Sequence, residues 1–521
     1  MTRPPSYEAR LFTRRDALLG AGAAIATWRV TRGVTPVSKT AADVHDLTAL
    51  SAHDLSVAIH ARRVSCVQVM QAYLAKIERC NAAVNAIVSL QPAEELLRQA
   101  AQRDAELEAN HSLGWMHGLP HAVKDLALTK GIRTSFGSPL FDSVPDQDDI
   151  FVERIRASGA ILIGKTNAPE LGFGSQTYNT VFGTTRNAYD QAKCAGGSSG
   201  GAAVSLALRM VPVADGSDNM GSLRNPAAFN NVYGFRPSWG RVPSGHGDLF
   251  MNSLPTDGPM ARSVQDLSLL LSTMAGADPR DPFSIQQDPA VFSRDLSREF
   301  RGTRIAWLGD YHGYLATEPG VLELCQQAHD TFRTIGCQVE LTQFDFDPAE
   351  LWKAYVTLRQ AAAAASLGAD YRDPERRKLL KPEIQWEIEG GLNVPASEVL
   401  HAAGVRSNWY RAVQRLFSSY DFALLPSAQV FPFDAGVHWP RAIAGRTMDT
   451  YHRWMEVAVP ATMGALPALN VPVGFSRAGL PMGMQILGPR NQDIGVLQLG
   501  HAYDLKQSWT RTLPPLLGVH G

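Results

Sequence analysis

Residues 196–201 have the sequence GGSSGG, and residues 218–227 have the sequence DNMGSLRNPA. The first string lies between Cys194 and an apolar segment that predicts a helix at 202–208, so it is part of a folded core and not a free linker. Its glycines permit backbone conformations that other residues avoid, and they allow a ligand to approach the main chain closely. The two strings therefore predict loops that present serine hydroxyls at a site.

The segments outside these loops predict an α/β fold. Apolar residues at helical spacing predict helices at 52–62, 66–80 and 93–108. Short apolar runs predict strands at 160–164, 211–214, 304–308, 337–341, 422–426 and 468–473. Because helices and strands alternate without an internal repeat or a low-complexity linker, one large domain is the simplest interpretation.

The composition excludes several classes of function. Hydrophobic residues make up 45% of the chain and charged residues 19%, which is typical of a soluble globular protein. The number of Lys and Arg residues (49) is nearly equal to the number of Asp and Glu residues (50), so the chain has no net positive charge that would favour binding to nucleic acid. The five cysteines form no Cys-x-x-Cys pair, which argues against a zinc site or a disulfide framework and leaves one disulfide open.

The N-terminus predicts an export signal. The TRRD sequence at 13–16 precedes an apolar run at 17–26 and resembles a twin-arginine signal, so residues 1–40 are interpreted as signal and linker. The run is too short to span a bilayer, and no stable membrane association is expected. This signal predicts a periplasmic protein; if the segment is only an apolar helix with two incidental arginines, the protein stays cytoplasmic.

The GGSSG string also fits the Gly-x-Ser-x-Gly elbow of α/β-hydrolases, which use Ser, Asp and His. That fold needs a strand leading directly into the serine, whereas residues 187–194 are polar and turn-like. None of the late histidines stands in a distinctive sequence. A Ser/His esterase therefore remains an alternative without a candidate base.

Three segments together resemble the amidase signature family. They are GLPHAVKD at 118–125, the GGSSGG loop and DNMGSLRNPA, and they follow the order and spacing of that family, with Ser198 and Ser222 24 positions apart. The resemblance extends through 234–238, 240–243, 464–468 and 479–485, and it is weakest at 280–416. It implies a single α/β/α domain over 41–515, with a mostly mixed, twisted central sheet covered by helices.

The resemblance also implies a Ser-Ser-Lys triad that hydrolyses amides through an acyl-enzyme. Ser222 is the expected nucleophile, Ser198 the bridging serine after a cis peptide bond to Gly197, and Lys124 the general base. A lysine can act as a base only when neutral, and a free lysine has a pKa of about 10.4. Burial must therefore lower the pKa of Lys124 by roughly two units, although most lysines are solvated at the surface.

The loop before the nucleophile is expected to hold the oxyanion. The backbone N–H groups of Asn219, Met220, Gly221 and Ser222 are the predicted donors, with Ser199 hydrogen-bonded within the glycine and serine loop. Many family members have two glycines before the nucleophile, whereas this chain has Met220-Gly221. A backbone donor survives this change, but the methionine side chain is expected to narrow the cleft or to alter the geometry of the loop.

The family implies a small-molecule amide substrate and neither a metal nor an organic cofactor. Anilides, esters and carbamates are also open, so a urethanase activity is included, and specificity is expected to depend on residues 280–416. The protein is expected to be a monomer or a homodimer. A glutaminase component of an amidotransferase is a second hypothesis, which an export signal would contradict, and a non-catalytic binding protein is a third.

Overall fold

The structure, a computed structural model, describes residues 46–245 and 247–518. The predicted export signal at 1–40 lies outside the described residues, and export stays a prediction. Across the described residues, no helix is both long enough and apolar enough to cross a bilayer.

The strands are short, and most of them belong to one large sheet. Their bounds are β1 Ile87–Val88, β2 Pro120–Lys124, β3 Ile161–Thr166, β4 Tyr178–Asn179, β5 Gly183–Thr184, β6 Val213–Asp218, β7 Tyr233–Arg236, β8 Thr256–Ala261, β9 Arg304–Trp307, β10 Gln338–Leu341, β11 Phe422–Pro426, β12 Ala442–Ile443, β13 Arg446–Thr447, β14 Ala468–Phe475 and β15 Pro481–Leu487.

Helices cover this sheet and connect its strands. Their bounds are α1 Ala52–His60, α2 Cys66–Val84, α3 Ala93–Glu108, α4 Ile150–Ala157, α5 Gly200–Ala207, α6 Arg224–Phe229, α7 Val264–Met274, α8 Val321–Gln327, α9 His329–Ile335, α10 Pro348–Arg372, α11 Pro374–Arg377, α12 Pro382–Leu392, α13 Ala396–Phe417, α14 Val459–Met463, α15 Asp493–Asp504 and α16 Pro515–Gly518.

In the described part of the chain, the central sheet has eight strands in the order β10-β9-β11-β15-β14-β7-β8-β6. The pairs β10–β9 and β9–β11 are parallel, and the remaining pairs are antiparallel. The predicted fold class, a mixed sheet covered by helices, is confirmed. All five cysteines lie among the described residues and are free.

A smaller sheet, β1-β3-β2, lies beside the central sheet. Its edge strand β2 contacts β6, the edge strand of the central sheet. The carboxylate of Asp215 in β6 joins them, because it accepts a hydrogen bond from the backbone N–H of Lys124 at 3.1 Å and lies 2.9 Å from the ring of His121. The two sheets are thus held edge to edge at the residue that ends β2.

Candidate active site

Lys124 is the last residue of β2 and is buried, with only 1% of its surface exposed. Its Nζ atom lies 2.7 Å from Ser198 Oγ, 2.8 Å from Ser199 Oγ and 2.9 Å from Ser217 Oγ. The Ser217 carbonyl oxygen is a fourth, longer contact at 3.4 Å. Every hydrogen-bond partner of Nζ in the described residues is therefore a neutral oxygen.

Burial determines the ionisation of this lysine. It lowers the pKa of Lys124 to about 7, because the charged form is poorly solvated in the core. The negative charges of Asp257, Asp215 and Asp218 act in the opposite direction and only partly offset burial. A substantial fraction of the amine is consequently neutral near pH 7.

The glycine and serine loop leads directly into α5, which begins at Gly200. The peptide bond between Gly197 and Ser198 is cis, and the Gly197 N–H donates to Asn225 Oδ1 at 3.1 Å. The Ser199 N–H donates to the carbonyl oxygen of Ser222 at 3.1 Å, which joins this loop to the turn after β6. The two loops that the sequence singles out are therefore in direct contact.

The turn after β6 presents backbone donors. Gly221 has a φ of +87°, and a Cβ at this position would lie 2.9 Å from atoms of Met455 and Ala458. The Gly221 N–H itself donates to Asp218 Oδ1 at 2.9 Å. No acceptor within the described residues takes the N–H groups of residues 219, 220 and 222, so three of the four predicted oxyanion donors remain available.

Asp218 stabilises this turn. Arg224 donates to it from Nη2 at 2.9 Å and from Nε at 3.0 Å, and all of these atoms are buried. Burial alone would raise the pKa of the Asp218 carboxyl, but the charges of Arg224 and Arg236 outweigh it and hold the pKa well below its usual range. The turn thus rests on a permanently ionised carboxylate.

Ser198, Ser217, Asn219 and Ser222 line a cavity of about 310 Å³, called the main cavity below. Within the described residues, no hydrogen bond joins the hydroxyls of Ser198 and Ser222. No histidine is among the described residues that line the cavity. The arrangement can support acyl transfer by a serine with a lysine base, and it offers the Ser/His alternative no base.

Met220 does not narrow the cleft. Its side chain is 5% exposed and packs into the hydrophobic core, and it is absent from the lining of the main cavity in the described chain. The expectation of a narrower cleft is therefore wrong, because this side chain packs into the core and is not among the described residues that line the cavity.

Ser217 and Tyr355 are site residues that the sequence reasoning missed. Ser217 lies two positions after Asp215 in β6, so both side chains are on the face of the strand that contacts Lys124. This two-residue spacing is a signal in the sequence that could have identified them. Tyr355 of α10 donates to Asn219 Oδ1 at 3.2 Å. No pattern in the sequence connects that tyrosine to a turn 136 positions away.

Comparison with known proteins agrees with this geometry. A family model described as Amidase matches residues 68–497. The chain belongs to the amidase signature family. It is therefore an amide-hydrolysing enzyme, and this amidase has a catalytic domain that spans most of the chain.

This amidase is similar to amidotransferase subunits and to an aryl acylamidase. A glutamyl-tRNA(Gln) amidotransferase subunit of Methylococcus capsulatus is 32% identical over 88% of this chain and 97% of the relative. The corresponding protein of Thermus thermophilus is 33% identical over 87% of this chain and 96% of its own length. A bacterial aryl acylamidase structure has a TM-score of 0.83 at 26% identity and covers 89% of this amidase and 97% of its own chain.

Proposed function

We propose that this amidase cleaves carboxylic amides with Ser222 as nucleophile, Ser198 as proton relay and Lys124 as general base. One observation carries the proposal: the buried Lys124 amine, with a pKa of about 7, lies 2.7 Å from the hydroxyl of Ser198, and Ser198 and Ser222 line the same cavity. A base that is neutral near pH 7 can take up a serine proton under physiological conditions.

The first chemical step is acylation. Neutral Lys124 accepts the Ser198 proton while Ser198 accepts the Ser222 proton, and the Ser222 oxygen attacks the amide carbonyl carbon. The two serine hydroxyls must close to hydrogen-bond distance for this transfer, as catalytic hydrogen bonds often do only with substrate bound. The oxyanion that forms accepts hydrogen bonds from the free N–H groups after β6, which are fixed before the charge develops.

The second step returns the proton and releases the amine. Lys124 passes its proton through Ser198 to the leaving nitrogen, because an amine leaves far more easily than an amide anion. The carbon–nitrogen bond breaks, and an ester on Ser222 remains. Water then attacks this ester with the same base, which releases the acid and restores the serine.

A panel of amides, anilides, esters and carbamates tests this proposal. Ser222→Ala is expected to abolish turnover and acyl-enzyme formation, detected by mass spectrometry of the intact protein. Ser407→Ala is the control, since this serine is exposed on α13 and is not among the described residues that line the cavity. Equal turnover by wild type and Ser222→Ala would remove Ser222 from the mechanism.

A glutaminase component of an amidotransferase is the second candidate, because the curated relatives carry that name. The cavity chemistry argues against it. Free glutamine brings an ammonium and a carboxylate, whereas the described residues that line the main cavity include no acidic side chain and one cationic group, Arg359. Release of ammonia from glutamine at rates above those for simple amides would favour the glutaminase instead.

We also propose that residues 13–26 direct export by the twin-arginine route. Replacing Arg14 and Arg15 by Lys keeps the positive charge and removes the arginine pair that the motif requires. In cells, the wild type is expected in the periplasm and the double variant in the cytoplasm. Equal distribution of both proteins would contradict the export proposal and leave the amidase proposal intact.

A further inference from the structure

One wall of the main cavity is a single face of α10. The residues on this face lie three and four positions apart, the spacing that places side chains on one side of a helix. They are Arg359, Ala362, Ala363, Ser366 and Leu367, and all of them line the cavity. Because three of the five are small, this wall leaves room for a bulky substrate group beside Ser222.

The other walls combine apolar side chains with the polar residues of the proposed site. They include the side chains of Leu126, Leu171, Phe173 and Leu254. The volume of about 310 Å³ is near the lower end of the range of about 300–1,000 Å³ for ligand pockets. The cavity therefore fits a compact apolar group of about the size of an aryl ring.

Arg359 is the one cationic side chain among the described residues that line this cavity. Its Nε donates to Glu387 Oε1 at 2.5 Å, and its Nη2 donates to the Tyr451 hydroxyl at 3.0 Å. Its Nη1 has only a 3.4 Å contact to Tyr355, which is long for an N–H···O bond. Nη1 is thus a weakly used donor on a guanidinium fixed by two stronger hydrogen bonds.

The positive charge of Arg359 is already balanced. Glu387 is fully buried and pairs with it. A side cavity of about 190 Å³ shares the lining residues Asn252 and Pro255 with the main cavity, and its described lining contains three aspartates and no basic side chain. A substrate carboxylate would add uncompensated negative charge here, whereas a neutral acceptor would not.

We propose that this face of α10 selects the substrate: an amide that carries an apolar group of about aryl size together with an uncharged hydrogen-bond acceptor, which binds Arg359 Nη1. The inference rests on the proposed function, because it concerns the cavity that contains Ser222. Arg359 is a specificity-determining residue in this proposal and takes no part in proton transfer.

Phenylalkanoyl 4-nitroanilides test the selection. Each substrate is paired with an analogue in which a ketone replaces one methylene of the acyl chain. A set of such analogues places the ketone at each chain position in turn. A second set carries the ketone on the amine half of the substrate. At one position, the ketone is expected to raise kcat/KM roughly tenfold, the effect of one hydrogen bond to a charged donor. A carboxylate at the same position is expected to lower it.

Two variants separate specificity from structure. The double variant R359Q/E387Q removes the donor without leaving a buried charge, and it is expected to bring the ketone-to-methylene ratio close to one. Glu387→Gln keeps the guanidinium and removes its balancing charge, so the carboxylate analogue is expected to improve relative to wild type. A purely structural role would lower all substrates equally and leave these ratios unchanged, which would overturn the proposal.

A steric test does not depend on the ion pair. Ala362→Leu fills the wall and is expected to reduce kcat/KM for the phenyl substrates far more than for acetyl 4-nitroanilide, because Ala362 lines the cavity and is only half-buried. Ala369→Leu, on the exposed face of α10, is the matched control. Equal effects on large and small substrates would contradict the assignment of this wall.

Failure of this inference differs from failure of the proposed function. If the wild type cleaves other amides but shows no ketone preference at any position, the role of Arg359 is overturned and the serine mechanism stands. If neither the wild type nor any variant cleaves an amide or forms an acyl-enzyme at Ser222, the proposed function itself is contradicted.

Discussion

Asp257 of β8 lies directly opposite Ser217 of β6 in the antiparallel pair. Side chains at opposite positions share one face of a sheet, and the Ser217 hydroxyl is hydrogen-bonded to Lys124 Nζ. The Asp257 charge therefore acts on the lysine without a direct hydrogen bond and raises its pKa, against the larger effect of burial. The balance between these effects sets the pH at which the proposed base becomes active.

Asp257→Asn is expected to shift the activity profile to lower pH. The ionised Asp257 carboxylate is the largest of the charges that raise the pKa of Lys124, and burial raises the pKa of Asp257 itself to about 7, so the substitution removes a charge that forms over the same pH range. Asp215 and Asp218 remain. The check is kcat/KM for one anilide, measured over the range in which a lysine with a pKa of about 7 changes charge. Asp281→Asn is the control, because Asp281 lines the side cavity but does not act on the lysine. If the midpoint of the pH profile of kcat/KM is the same in Asp257→Asn and in the wild type, the Asp257 carboxylate does not influence the pKa of Lys124.

The acylation rate of the wild type is expected to rise with pH through about 7 and then to level off. Below that pH Lys124 carries a proton and cannot accept another, and above it the neutral amine predominates. Rapid mixing with an activated ester or anilide measures acylation separately from product release. A rate that stays flat across neutral pH would rule out a lysine with this pKa as the base.

Lys124→Ala is expected to lower kcat/KM by about 10²- to 10⁴-fold, the usual contribution of a general base. Ser198→Ala is expected to lower it somewhat less, since water can carry the proton over part of the path. Lys130→Ala, which alters an exposed lysine nearby in sequence, controls for loss of charge. Thermal denaturation of each variant distinguishes lost chemistry from lost folding, and near-normal activity of a folded Lys124→Ala would contradict the mechanism.

Gly221→Ala is expected to destabilise the protein and to impair acylation. The left-handed φ of +87° is unfavourable for alanine by about 1–3 kcal/mol, and the added Cβ would meet Met455 and Ala458. Gly313→Ala separates these two causes, since Gly313 has a φ of +85° but no atom within 4 Å of the position that the new methyl group would occupy. Urea denaturation measures the free energy of unfolding of each variant. If the two variants lose equal stability, the contacts with Met455 and Ala458 contribute nothing.

Much of the fold could be predicted from the sequence because the spacing of apolar residues in each helix or strand matches the face that is buried in the structure. The predicted helix at 93–108 and strand at 422–426 match α3 and β11 in the structure. The strands β7 and β15 were not predicted, although their sequences lie in segments that resemble the family. Glycine and proline interrupt these strands, so their apolar periodicity is weak, and pairing with neighbouring strands defines them.

The site residues could be predicted where they lie in short sequence motifs. They could not be predicted where packing between segments distant in sequence brings them together. Lys124, Ser198 and Ser222 lie in recognisable strings. Arg359 and Glu387 lie in the divergent stretch, 28 positions apart, and only the packing of α10 against α12 brings them together. A single sequence contains no signal for such a buried pair.

The edge-to-edge contact of β2 and β6 has a consequence for refolding. The amine belongs to the smaller sheet, Ser222 follows β6 of the central sheet, and Ser198 lies in the loop that leads into α5. Asp215 joins the two sheets. Neither sheet by itself contains a complete set of reacting groups. When the denatured protein is diluted into buffer, hydrolysis therefore recovers only after the two sheets have joined. Recovery of activity is expected to lag behind the return of secondary structure.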